Sequence, residues 1–127
     1  MRVKVVDASA LAALLFGEPE AEAIAELLGD ARLAAPALLN FELANVCVIK
    51  SRRHPDQKTG LMAAFKRLDR PAVQDVAVDH AAVVELAAAT GLTAYDACYL
   101  WLARTLGAEL VTLDQQLAKA VVTPRPA

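Results

Sequence analysis

Four acidic residues, Asp7, Glu42, Asp96 and Asp114, stand where short apolar strands give way to helices or within a helix's first turns. Their carboxylates are hard oxygen donors. Brought together they would repel one another, by ~1 kcal/mol for two charges about 4 Å apart in water and several-fold more where water is partly excluded. A convergent set must therefore protonate, spread apart or hold cations. Mg²⁺ and Mn²⁺ take all-oxygen ligands and often keep waters. No neighbouring His or Cys set of the kind zinc prefers accompanies the acids. Such an ion can turn a bound water into a nucleophile and offset negative charge that builds on a substrate.

Each acid also has a local reading. Asp7 and Asp114 occupy positions from which a carboxylate caps a following helix. Thr93-Ala94-Tyr95-Asp96 has the spacing of a capping box. Glu42, near a helix start, is favoured there by the helix dipole. Smaller polar groups accompany the acids. Ser9 follows Asp7 by two residues, Asn45 lies one helical turn after Glu42, and Thr112 precedes Asp114 by two. They suit support of the carboxylates, or else a turn serine, a helical asparagine and a strand threonine.

Whether the acids meet depends on the elements that carry them. VKVVD at 3–7 reads as a buried strand, RLAAP at 32–36 as a second, VQDVAV at 73–78 as a third and ELVTL at 109–113 as a fourth. Helical patterns cover 9–16, 19–28, 38–51, 56–69, 79–91, 94–106 and 114–119, and a short strand is expected near 120–122. Alternating strands and helices predict an α/β chain with a mainly parallel sheet. In such sheets ligands bind beyond the carboxyl ends of the strands, where the strand order reverses. Asp7 and Asp114 open onto that end.

Composition bounds the rest. The 127 residues fit one domain over 1–127, 57% hydrophobic but only 5% aromatic, so the core must be Ala, Leu and Val. That apolar share is high for a small monomer and predicts a surface shared with a partner or a second copy. No apolar run reaches the ~20 residues that span a bilayer, and MRVKVVDAS lacks the pattern of a signal peptide. Cys47 and Cys98 stand alone in apolar helices, as small core residues of a reducing, cytoplasmic compartment would. The net charge of −2 excludes a simple polycation. Yet Lys50, Arg52, Arg53, Lys58, Lys66, Arg67 and Arg70 crowd residues 50–70, as a solvated face or as a footprint for a phosphate backbone.

Four blocks, VVDASALAALLFGEPEA, FELANV, TAYDACYLWLA and ELVTLDQQLAKA, in this order and spacing, resemble the PIN-domain family and more closely its VapC-type toxin ribonucleases. The resemblance runs from residue 3 to about 120. It implies a three-layer α/β/α sandwich with a mainly parallel central sheet, and an acidic cluster that binds Mg²⁺ or Mn²⁺ and cleaves RNA. It further implies that Asp7, Glu42, Asp96 and Asp114 are the acids, with Ser9 and Thr112 in support. A homodimer and a cognate antitoxin lying over the active-site groove are implied as well. Gln115 and Gln116 depart from the pattern, since many relatives carry a basic or acidic residue there. In this reading Asp7 and Asp96 are the principal ligands, Glu42 and Asp114 bind directly or through water, and basic residues between Lys50 and Arg70 hold phosphates. Tyr95 and Trp101 either stack a base or pack in the core, the latter being the expectation from their apolar neighbours. Isolated His54 and His80 are read as surface or loop residues without a catalytic part.

Two rival functions follow from the same residues. A phosphoryl-transfer domain with Asp7 as nucleophile would want a second acid at Ser9, or acids at Val5 and Val6. A non-catalytic binding module would keep the fold and use the apolar and acidic surfaces alone.

Overall fold

The computed structural model describes residues 2–67 and 73–122. β1 (Val3–Val6) is buried from Lys4 onward, because a strand in the middle of a sheet has both faces covered. β2 (Arg32–Ala35) and β4 (Glu109–Val111) flank it, and β3 (Val73–Asp75) pairs with β2 at the edge. All pairings are parallel, in the order β3-β2-β1-β4. Val5, for example, aligns with Ala34 on one side and Leu110 on the other.

Among the described residues seven α-helices connect and follow these strands: α1 (Ala8–Leu15), α2 (Ala21–Leu28), α3 (Leu38–Arg53), α4 (Lys58–Lys66), α5 (His80–Thr90), α6 (Ala94–Leu106) and α7 (Gln115–Val122). A single 3₁₀ turn, Pro55–Gln57, joins α3 to α4. Strand order moves one way from β1 to β3 and then jumps back across β1 to β4. Right-handed crossovers therefore place α1 to α4 on one face and α5 and α6 on the other, which makes three layers. Helix packing agrees: α1 lies against α2 and α3, α3 against α4, and α6 against α5, α7 and β1. The reversal falls between β1 and β4, so the carboxyl ends of those strands flank a crevice.

The core is aliphatic. Leu43, Leu100, Leu102 and Leu117 are fully buried beside Val5 and Val6, each apolar side chain of this kind contributing about 1.5–3 kcal/mol. Ala10, Ala12 and Ala13 keep the buried face of α1 small. Lys4 is buried, but its ammonium leaves the core at the amino end of the sheet, donating to the Leu27 carbonyl and lying 3.5 Å from the Glu109 carboxylate. Each end of α6 is stopped by local chemistry: the Thr93 hydroxyl accepts from the Asp96 N–H, and Gly107 turns away at φ 61°.

Some boundaries differ from the sequence reading. Residues 120–122 are not a strand but the last turn of α7. The β-branched pair Val121 and Val122 prompted the strand, yet Leu117 and Ala120 lie one turn apart on the buried side of a helix, and burying that helical face overrides the local strand preference. The third strand stops at Asp75 rather than 78. The helix expected over 56–69 divides into the 3₁₀ turn and α4; Asp69 and Arg70 lie outside the described residues. Among the described residues no helix is long and apolar enough to cross a membrane.

Candidate active site

Asp7 immediately follows β1, and its N–H extends the ladder to β4 by donating to the Val111 carbonyl at 3.2 Å. The side chain is only 4% exposed. Its Oδ1 accepts from the Ala10 N–H at 3.0 Å, capping α1, and from the Ser9 hydroxyl at 2.7 Å. Its Oδ2 accepts from the Thr112 hydroxyl at 2.5 Å. Both hydroxyls are in turn held by the chain that leaves β4: Leu113 N–H donates to Ser9 Oγ and Asp114 N–H to Thr112 Oγ1, each at 2.9 Å. Two amides thus orient two hydroxyls, and both hydroxyls aim at one carboxylate. A carboxylate has about four lone-pair sites; three hydrogen bonds leave Asp7 one more.

Glu42 stands one turn into α3, just after the carboxyl end of β2. Its Oε1 accepts the Tyr99 hydroxyl at 2.6 Å. Tyr99 is 1% exposed, and the bond crosses from α6 to α3, so the deepest aromatic group of the molecule orients a half-buried acid. The tyrosine hydroxyl is pushed far above its ordinary range by burial and by the Glu42 charge, which keeps it a donor. Asp96 sits one helical turn before Tyr99 on the same face of α6. Only half of the expected capping box forms. Thr93 accepts the Asp96 N–H, but the Asp96 carboxylate takes no hydrogen bond from a described residue and is left to the crevice. Asp114 follows β4 and caps α7 through Leu117 N–H at 3.0 Å.

These four acids feel one another. Burial raises the pKa of Asp7, Glu42 and Asp96 above ordinary carboxylate values. Neighbouring charge adds to it: Asp114 acts on Asp7, Asp96 and Asp7 on Glu42, and Asp114 and Asp7 on Asp96. The hydrogen bonds from Thr112, Ala10 and Ser9 to Asp7, and from Tyr99 to Glu42, pull the other way and are outweighed. Among the described residues no three His, Cys, Asp or Glu side chains form a ready-made cage for one ion. The donor set nevertheless suits a hard divalent cation: it is all oxygen, partly withdrawn from water and crowded with negative charge that such an ion would relieve. Mg²⁺ ordinarily keeps several waters and takes one or two carboxylates, so a complete cage is not a requirement.

The other expected participants fare differently. Asn45 is exposed and bonds to none of the four acids. Lys50 is not an open phosphate contact: its ammonium pairs with Glu18 at 2.8 Å and lies 5.9 Å from the Phe16 ring centre. Arg52, Arg53, Lys58, Lys66 and Arg67 are exposed, while Arg70 lies outside the described residues. Trp101 packs against the core as expected, but Tyr95 does not, being 63% exposed in the first turn of α6. His54 and His80 are both exposed. Tyr99 was missed as a site residue, although its three-residue spacing from Asp96 put it on the acid's face of the helix. The Cys98 thiol, between them, is pushed up by burial and by Glu42, which makes it a poor nucleophile.

The PIN-domain family model matches residues 4–122. Ribonuclease VapC3 of Pyrobaculum aerophilum is 37% identical over 94% of this chain and 98% of its own length. The crystal structure of PAE2754 from Pyrobaculum aerophilum superimposes with a TM-score of 0.77 at 27% identity, over 96% of this chain and 89% of that one.

Two stability predictions follow from the site's charge. Asp96→Asn should stabilise the metal-free protein at pH 7, by less than about 1 kcal/mol after solvent screening. A raised folded-state pKa penalises the ionised native state, and the penalty fades as pH falls through that raised value towards 3.8. Thermal melts of both proteins from pH 7 to 4 should therefore converge at the acid end; wild type melting higher at pH 7 would contradict this. Tyr99→Phe should keep the fold but lose about 1–2 kcal/mol in urea unfolding at pH 7, since a half-buried carboxylate loses its one donor among the described residues. An unchanged midpoint would show that water replaces the hydroxyl at no cost.

Proposed function

The chain belongs to the PIN-domain family, among its VapC-type members, and from that premise we propose that it is a metal-dependent endoribonuclease, the toxin of a type II toxin–antitoxin pair. One observation carries the reading. Four acids from distant parts of the chain stand at or just beyond the carboxyl edge of the sheet, beside the point where strand order reverses, and burial together with neighbouring acid charge raises three of them, Asp7, Glu42 and Asp96. Capping explains Asp7 and Asp114 one at a time. It does not explain why Glu42 and Asp96 stand within reach of them.

Asp7 and Asp96 are the principal ligands in this proposal. Asp7 keeps one lone-pair site under a fixed orientation, and the Asp96 carboxylate is uncommitted. Glu42 and Asp114 join directly or through water, Tyr99 and Leu117 N–H leaving each with a second oxygen available. Mg²⁺ or Mn²⁺ held there supplies Lewis acidity, making water nucleophilic and offsetting charge on the phosphate oxygens. The protein's own share is positional. Ser9 and Thr112 stop Asp7 from rotating, Tyr99 stops Glu42 from swinging out to solvent, and the exposed cations of α3 and α4 draw in the RNA backbone.

The partners proposed are RNA, a cognate antitoxin and a second copy of the chain, in the cytoplasm. In support, α3 leaves Phe41 75% exposed with Val48 two turns along the same face, an apolar stripe that a lone soluble chain would have reason to cover. The second reading, a binding module that does not cut, draws on the lack of a ready-made three-ligand cage among the described residues.

Cleavage separates the two. Wild type should cut RNA in Mg²⁺ or Mn²⁺ and stop in EDTA, and Asp7→Ala or Asp96→Asn should abolish cutting while circular dichroism stays native. Thr112→Val should lower activity by about 10- to 100-fold through loss of orientation. Cutting that survives both acid substitutions would refute this site. Light scattering from micromolar to millimolar protein should report a dimer, and a monomer throughout would remove that part of the proposal.

A further inference from the structure

Tyr95 and the hollow beside it take no part in the chemistry above. A cleft of about 680 Å³ opens between the first turns of α3, α5 and α6 and the segment after β3. Leu38, Val76, Val78, Val83 and Tyr95 make its walls largely apolar, and Asp75 and His80 give it polar edges. It adjoins the carboxylates on two sides. Leu38 lies one turn before Glu42 on α3, and Tyr95 immediately precedes Asp96 on α6.

Its chemistry restricts what enters. No Lys or Arg is among the described residues that line it, so a phosphate would find no counter-charge and would meet Asp75 inside and Asp96 at the border. An uncharged planar ring escapes both penalties. The volume is within the 300–1,000 Å³ typical of small-ligand sites, ample for one base. Tyr95 offers a largely bare aromatic face at the mouth, where a base could stack.

We propose that this cleft is a nucleobase subsite, in which a base adjoining the scissile phosphate of single-stranded RNA stacks on Tyr95 while Asp75 and His80 meet its hydrogen-bonding edge. The proposal rests on the ribonuclease reading and adds a specificity element to it. Recognition of this kind suits unpaired RNA, whose bases can be splayed out from the backbone. An antitoxin segment or a second copy of the chain is the competing occupant.

The test reads binding apart from cutting. A short single-stranded RNA carrying 2-aminopurine is titrated in Mg²⁺ with Asp96→Asn protein, and with the same protein bearing Tyr95→Ala or Tyr95→Trp. Stacking should quench the fluorescent base; Tyr95→Ala should weaken affinity about tenfold and Tyr95→Trp should retain it. Absence of quenching, or affinity unchanged by Tyr95→Ala, overturns the subsite. So does amide exchange of the first turns of α5 and α6 that slows as protein concentration rises, which would put a second copy in the cleft. Cleavage by proteins with native Asp96 tells the two ideas apart. If wild type and Tyr95→Ala cut with the same KM, the ribonuclease reading stands and the subsite falls. If nothing is cut while the base is still quenched, the subsite stands and the ribonuclease reading falls.

Discussion

The carboxylate of Asp7 is the constraint on which the rest of the molecule turns. It ends the central strand, caps the first helix and accepts hydroxyls from Ser9 and Thr112, which are themselves fastened to the turn after β4. Residues more than a hundred positions apart are thereby locked at the point where parallel strands diverge. The same bonds that close the sheet's carboxyl edge leave the carboxylate one lone-pair site. Fold and candidate site share one hydrogen-bond network.

That arrangement is electrostatically uncomfortable. Three acids are raised above their ordinary pKa, first by burial and then by one another, although four donors counteract the effect at Asp7 and Glu42. Acids in ordinary ion pairs gain from folding; these three are penalised in the native state, mainly because burial withdraws their charge from water. The apolar body of α6 makes the cost bearable. Leu100, Leu102 and Tyr99 sink into the core, and the first turn is left to present Asp96 and Tyr95 outward.

Much of the architecture was legible because hydrophobic pattern and turn chemistry agree along most of the chain. VKVV, RLAA and ELV are short apolar runs with helices between them, and Gly91 and Gly107 stop α5 and α6 where expected. The pattern failed where local preference and neighbourhood disagree. Val121 and Val122 favour a strand, but Leu117 and Ala120 bury one side of a helix and the helix continues through both valines. Tyr95 and Tyr99 look alike in TAYDACYLWLA, four residues apart on one helix, yet one is bare and the other is the deepest aromatic group. Helical periodicity puts both near one face but does not say where the adjoining layer ends.

The sequence by itself determined the alternation of strands and helices, the acids at the ends of strands, and the small residues that let α1 pack close, because these follow from spacing and side-chain type. Only the tertiary structure decided that Tyr99 reaches Glu42, that Lys50 is taken by Glu18, and that Ser9 and Thr112 converge on one carboxylate. Those contacts join residues far apart along the chain. They exist only once parallel strands have set the distance and direction between their ends, and no local pattern carries that information.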